Sequence, residues 1–194
     1  MNRLVQLLGA IAGVLRAAET ASGTRLFTDV RVELDRYDLA DLVAESTKTP
    51  ACRVCFLAGK RIKNPDGSRD LDVSVAIVVA AGREGRPNPD FASADVAALD
   101  LLAGVGDVIE DDPYVGLGQL TAADLGQELV AISEATSKKG IAIALIEAKW
   151  RLLQVTAPRP ALRAALGIDG AGAVPTGYHV NDGLVLPLPP EPTP

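Results

Sequence analysis

Residues 51–82 read ACRVCFLAGKRIKNPDGSRDLDVSVAIVVAAG. Two β-rich runs, Ala51–Ile62 and Asp70–Ala81, flank Lys63-Asn-Pro-Asp-Gly-Ser-Arg69. Pro-Asp-Gly is direct turn chemistry, because proline presets φ and glycine accepts a positive φ. The stretch therefore reads as a long β-hairpin. In its second arm Leu71, Val73, Val75, Ile77 and Val79 share one face, while Asp72, Ser74, Ala76 and Val78 share the other. The second face turns apolar toward Gly82, which predicts burial on both sides at that end. Lys60, Arg61, Lys63 and Arg69 crowd the tip. A long arm with a basic tip is suited to reach a neighbouring subunit.

Cys52 and Cys55, the only cysteines, form a lone C-x-x-C on the first arm. In a redox enzyme such a pair opens a helix, which lowers a thiol pKa. On a strand, positions three apart point to opposite faces with Cα atoms about 10 Å apart. A disulfide needs less than about 7 Å. With a single distant histidine, His179, zinc has no ligand set either. Both thiols are read as structural.

Upstream, Leu4, Leu8, Ile11 and Leu15, with Leu7, Val14 and Ala18 beside them, follow helical spacing and predict a helix over 3–20, ended by Ser22-Gly23. Met1-Asn-Arg3 and the apolar run behind it imitate a secretory signal, but Gln6 interrupts the run and Arg16 and Glu19 follow it, so an amphipathic helix is the better reading. Val30, Val32 and Leu34 alternate with Asp29, Arg31 and Glu33, the pattern of a strand over 26–34 with one wet face. Asp38 to Glu45 reads as a short helical turn with Asp38 as N-cap.

Downstream, 82–89 is a loop and Ser93 N-caps a second helix with Val96, Leu99, Leu102, Ala103 and Ile109 inward. Gly104 and Gly106 lie inside that helical pattern without a preceding strand, so they are read as packing positions rather than a phosphate loop. Glu110-Asp-Asp112 reads as a solvated helix end rather than a metal cluster. Residues 127–136 and 141–155 flank Ser137-Lys-Lys-Gly140. In the second run Glu147, Lys149 and Arg151 alternate with Ala148, Trp150 and Leu152, which favours a second antiparallel hairpin. Trp150, the one tryptophan, is expected to be a core or interface anchor. From Ala157 onward prolines punctuate the chain, with one short helix predicted at 161–166. Such a segment cannot build its own core, and docking along a neighbouring chain makes it a second candidate for intersubunit contact.

The 194 residues suit one domain of ordinary size plus an appendage. The apolar fraction is 48% but aromatics are only 4%, giving a small-residue core rather than an aromatic-lined pocket. A net charge of −6 offers no basic footprint for sequence-specific nucleic-acid binding. No run reaches the ~20 apolar residues of a membrane span. There is no G-x-S-x-G elbow and no Walker-type glycine loop, and His179 lies in the tail. No catalytic, cofactor-binding or metal residues are therefore assigned. An acid/base pair assembled from dispersed carboxylates is the enzymatic alternative.

The segments Leu4–Arg16, PACRVCFLAG (50–59), Leu71–Gly82 and SKKGIAIALIEAKW (137–150) follow one another in an order that resembles the tail terminator, or tail completion, proteins of tailed phages, nearest to the Mu-like contractile-tail group. The resemblance spans residues 1–155. It implies a structural virion protein without enzymatic activity, made in the host cytoplasm. Such a protein forms a homohexameric ring that caps the tail tube, halts polymerisation, meets the sheath and offers a joining surface to head-side neck or connector proteins. Another head–tail connector or neck adaptor is the nearest alternative. The fold expected is α+β: an antiparallel or mixed sheet built from two long hairpins with two main helices packed on it (1–156), then a Pro-rich C-terminal extension (157–194). Lys60, Arg61, Lys63, Arg69 and Trp150 are the expected subunit or tail interface.

Overall fold

The computed structural model describes residues 2–34, 49–65, 67–82, 93–131, 141–156, 178–181 and 184–187. The expected helical turn at 38–45, the loop beyond Gly82, the turn 137–140 and the helix at 161–166 lie outside them. The protein is α+β: the described residues hold a five-stranded mixed sheet, a two-stranded sheet and two helices.

Helix α1 (Arg3–Ala17) starts where Asn2 Oδ1 accepts the amide of Leu4 at 3.0 Å. It buries Leu7, Leu8, Ile11, Ala12 and Leu15, the stripe its spacing predicts. It ends three residues short of the expected boundary, because Ala18 is already extended. Gly23, at φ 75°, serves instead the tight turn closed by Gly23 N to Thr20 O and Thr20 N to Thr24 O.

Strands β1 (Asp29–Glu33), β2 (Ala51–Lys63) and β3 (Arg69–Gly82) follow, then α2 (Ser93–Asp111), β4 (Asp124–Ala131) and β5 (Ile141–Thr156). The order across the sheet is β1-β2-β3-β5-β4. β1 runs parallel to β2, with Asp29 opposite Ala51 and Glu33 opposite Cys55, whereas β4 is antiparallel to β5. β2 and β3 are neighbours joined through Asn64–Ser68, and so short a link can join only antiparallel strands. Gly67, at φ 81°, supplies the predicted glycine conformation. Helix α1 packs along β1 and touches α2.

β3 is buried on both faces from Val75 to Ala81. Ala76, Val78 and Ala80 join Ala51, Cys55 and Ile143 in one cluster, while Val75, Ile77 and Val79 are buried on the alternate face. The burial predicted from the apolar turn of the sequence is thus present.

β1 departs from its predicted wet face. Val30 is buried, but Val32 and Leu34 are exposed. The polar residues instead meet Arg53, which is 2% exposed in the middle of β2. Its Nη2 lies 3.0 Å from Asp29 Oδ2, its Nη1 donates to the Cys52 carbonyl, and its Nε lies 2.9 Å from Glu33 Oε1. That last contact is electrostatic, since its geometry does not meet hydrogen-bond criteria. Two carboxylates clasp one guanidinium across the parallel register.

In α2 the buried positions are Ala94, Ala98, Leu102, Val105 and Ile109, while Leu99 and Ala103 are exposed. The buried stripe is rotated from the predicted one. Small alanines allow close approach, whereas the sequence reading weighted the larger Val96 and Leu99. Gly104 is a close-packing position, with Leu26 Cδ2 only 3.0 Å from where a Cβ would sit. Gly106 faces open space.

By packing, the described residues form two compact units: 2–60 with 72–152, and 61–71 with 153–156, 178–181 and 184–187. The tip of the arm therefore groups with residues beyond Leu152. Within this second unit, Asn64 Nδ2 donates to Ser68 Oγ and Asp70 Oδ1, and Gln154 N donates to Asp70 Oδ1 at 2.8 Å. Gln154 has φ 54°, a left-handed conformation that side chains disfavour by about 1–2 kcal/mol. The bond to Asp70 helps to hold it there. β6 (Tyr178–Asn181) and β7 (Leu184–Pro187), separated in sequence by Asp182-Gly183, form an antiparallel pair that the sequence reading did not predict. A two-residue Asp-Gly link between β-rich runs is a strong hairpin signal, and it was masked by the surrounding prolines.

Gly106→Ala should raise stability by about 0.5–1 kcal/mol, since it removes glycine's helix penalty without a clash. Calorimetry should read this as about 2–4 °C in Tm, with no comparable gain for Gly104→Ala against Leu26. Arg53→Ala should cost about 1–3 kcal/mol in urea unfolding, by emptying a buried position and removing the shared partner of the partly exposed Asp29 and Glu33.

Candidate functional site

Four of the expected interface residues stand on the arm. Lys60, Arg61 and Lys63 occupy the far part of β2 and Arg69 opens β3, all exposed. Their exposure has a local cause. β1 pairs with β2 only over Ala51–Cys55, so the remaining eight residues, Phe56–Lys63, have no strand on that side among the described residues. Burial falls away at that point: Ala51–Cys55 are all buried, whereas Leu57 is 46% exposed and 58–61 are exposed throughout.

Trp150 stands on β5 and lines the same concavity as Lys60. It is buried in the core, and its Nε1 donates to the Pro113 carbonyl at 3.0 Å, which also accepts the amide of Ala123. The loop after α2 is thereby fastened to β5. Thr121 reinforces the attachment, its amide donating to the Arg151 carbonyl and its hydroxyl accepting from the Arg151 amide. In this chain Trp150 acts as a core anchor, with almost no surface to offer a partner.

Two open concavities lie on the larger unit. One, of about 450 Å³, is lined by Lys60, Asp72, Thr121, Asp124, Lys149 and Arg151. Its charges are mixed, and the Arg151 guanidinium is engaged by the Asp72 carboxylate at 2.6 and 3.3 Å. The other, of about 480 Å³, is lined by Leu26, Pro50 and Leu101 together with Thr20, Thr24 and Thr28. Among the described residues no group of three or more His, Cys, Asp or Glu side chains is placed to hold a metal ion, and no helix is long and apolar enough to cross a membrane.

The thiols are free and buried. They lie on opposite faces of β2: Cys55 belongs to the cluster with Ala76, Val78 and Ala80, and Cys52 faces the other way. Burial drives the Cys52 thiol far above its ordinary range, with only partial relief from Arg53. Burial pushes Cys55 up to about 11, the Glu33 carboxylate adding to the rise and Arg53 opposing it. Such thiols stay protonated and unreactive.

The opposite edge was not singled out from sequence. β4 is exposed on both faces from Gly126 to Val130, with Leu129 at 41% and Val130 at 45%, and a bulge interrupts its register between Leu125 and Glu128. Adjacent exposed Leu-Val at an edge is visible only once strand order is known.

Native protein should be inert to a thiol reagent and should release two reactive thiols on unfolding in urea. The unfolded chain loses thiol protons near pH 9, where the folded chain retains them. Stability should therefore be unaffected by the thiols below pH 9 and fall as pH rises toward 11, each thiol approaching about 1.4 kcal/mol per pH unit. Urea titrations at pH 8 and 10.5 should show this excess slope in the wild type and not in Cys52→Ala/Cys55→Ala.

No family model matches the chain, and no curated protein matches it.

Proposed function

We propose that this protein is a structural assembly subunit that caps a phage tail tube as a ring, stops tail polymerisation and presents a joining surface to head-side neck proteins. The observation that carries the reading is the basic far half of the arm. Lys60, Arg61, Lys63 and Arg69 are exposed on a chain of net charge −6, on a hairpin whose near half is fully buried. Exposed charges contribute little to the stability of their own fold, so these exposed cations are better suited to an external partner. The resemblance in element order to tail terminators supplies the identity of that partner: further copies of the chain, then tube, sheath and neck proteins. A ring needs heterologous contacts, in which one surface of each copy meets a different surface of the next. An arm and a separate sheet edge are suitable devices for such contacts.

Light scattering and negative-stain imaging of the purified chain, alone and with unfinished tails, should show rings and capped tubes. A protein that remains monomeric and never joins tails would sink the reading. Reversing charge at Arg61, Lys63 and Arg69 should leave unfolding free energy within about 0.5 kcal/mol while impairing ring formation or capping.

A further inference from the structure

Among the described residues, two edges of the sheet carry no further strand, and they are complementary in charge. On one side, β2 beyond Cys55 presents Phe56–Lys63, eight residues with Lys60, Arg61 and Lys63 and the exposed Leu57. On the other side, β4 presents Asp124–Ala131, also eight residues, with Asp124 and Glu128 and the exposed Leu129 and Val130. These edges lie at opposite ends of the strand order. The third candidate edge, β1, is short, and α1 occupies it: the Arg16 guanidinium donates to the Val30 carbonyl at 3.0 and 3.2 Å. Short strands and covering side chains are how proteins close an edge against pairing.

We infer that the acidic edge of β4 in one copy pairs with the basic far edge of β2 in the next, so that copies join head to tail through a sheet continuing from subunit to subunit. The inference rests on the ring reading above and specifies which surfaces close the ring. Outward-facing amides and carbonyls on both edges supply the ladder, and Leu57, Leu129 and Val130 lose their exposure. Charge decides the partner. Pairing β4 with another β4 sets Asp124 and Glu128 against like charges, and pairing β2 with another β2 sets lysine and arginine against their own kind, both destabilising across strands. Only the mixed pairing matches acid to base. Because the two surfaces differ, the contact is heterologous and propagates until rotation closes it.

The test uses two full-length variants. In the first, Asp124→Lys and Glu128→Lys make β4 basic; in the second, Lys60→Glu, Arg61→Glu and Lys63→Glu make the β2 edge acidic. Circular dichroism monitors folding, and light scattering over a concentration series monitors assembly. Each variant alone should associate at least tenfold more weakly than wild type, since both its edges carry one sign. A 1:1 mixture should recover assemblies in which the variants alternate, because every contact is again acid to base. Recovery in the mixture also shows that neither variant failed merely by misfolding. Wild-type-like assembly of either variant alone, or a mixture that stays dissociated, overturns the edge pairing. If wild type forms rings and caps tails while the variants behave as wild type, the ring reading stands and this contact falls. If wild type neither self-associates nor joins tails, both fall.

Discussion

Burial of β3 on both faces is the constraint on which the rest of the structure depends. From Val75 to Ala81 no side chain of this strand reaches solvent, so the strand must sit inside the sheet with material on each side. That requirement places β2 and β5 beside it and drives charge outward to β1, β4 and the far half of β2. It also explains the small-residue composition. Where both faces are packed, Ala51, Ala76, Ala80, Ala142, Ala144 and Ala148 let layers approach, and larger side chains fill the space between.

A buried charge marks the limit of that core. Arg53 lies inside because the parallel register brings Asp29 and Glu33 to either side of it. A pairing of this kind adds little over an apolar replacement, yet losing one member is costly. Its evident consequence is register, since a slip of β1 along β2 would separate a buried guanidinium from both carboxylates. The same region holds Cys52 and Cys55, whose burial on opposite faces makes them packing groups. Buried and exposed surfaces thus separate along a single strand, with Ala51–Cys55 of β2 buried and Leu57–Arg61 exposed.

That separation gives physical content to the assembly reading. A subunit that must meet different neighbours on different sides needs distinct, non-self-complementary surfaces, together with devices against unwanted pairing. The basic edge of β2, the acidic and bulged edge of β4, and the β1 edge covered by Arg16 supply one of each kind.

The sequence by itself determined the local elements. Period-two alternation and Pro-Asp-Gly specify the arm, helical spacing specifies α1, and the spacing of the cysteines on a strand separates their side chains. These features depend on neighbours a few residues apart, so they are legible without the fold. Strand order, the parallel placement of β1, the rotation of the buried face of α2 and the burial of Arg53 and Trp150 were decided only by the tertiary structure. Each depends on which distant segment lies opposite, and neither alternation nor turn chemistry encodes that choice. The β6–β7 pair is an intermediate case, since Asp182-Gly183 was readable but proline composition obscured it. The β4 edge is the extreme one: Leu129 and Val130 look like ordinary strand residues until the sheet ends beside them.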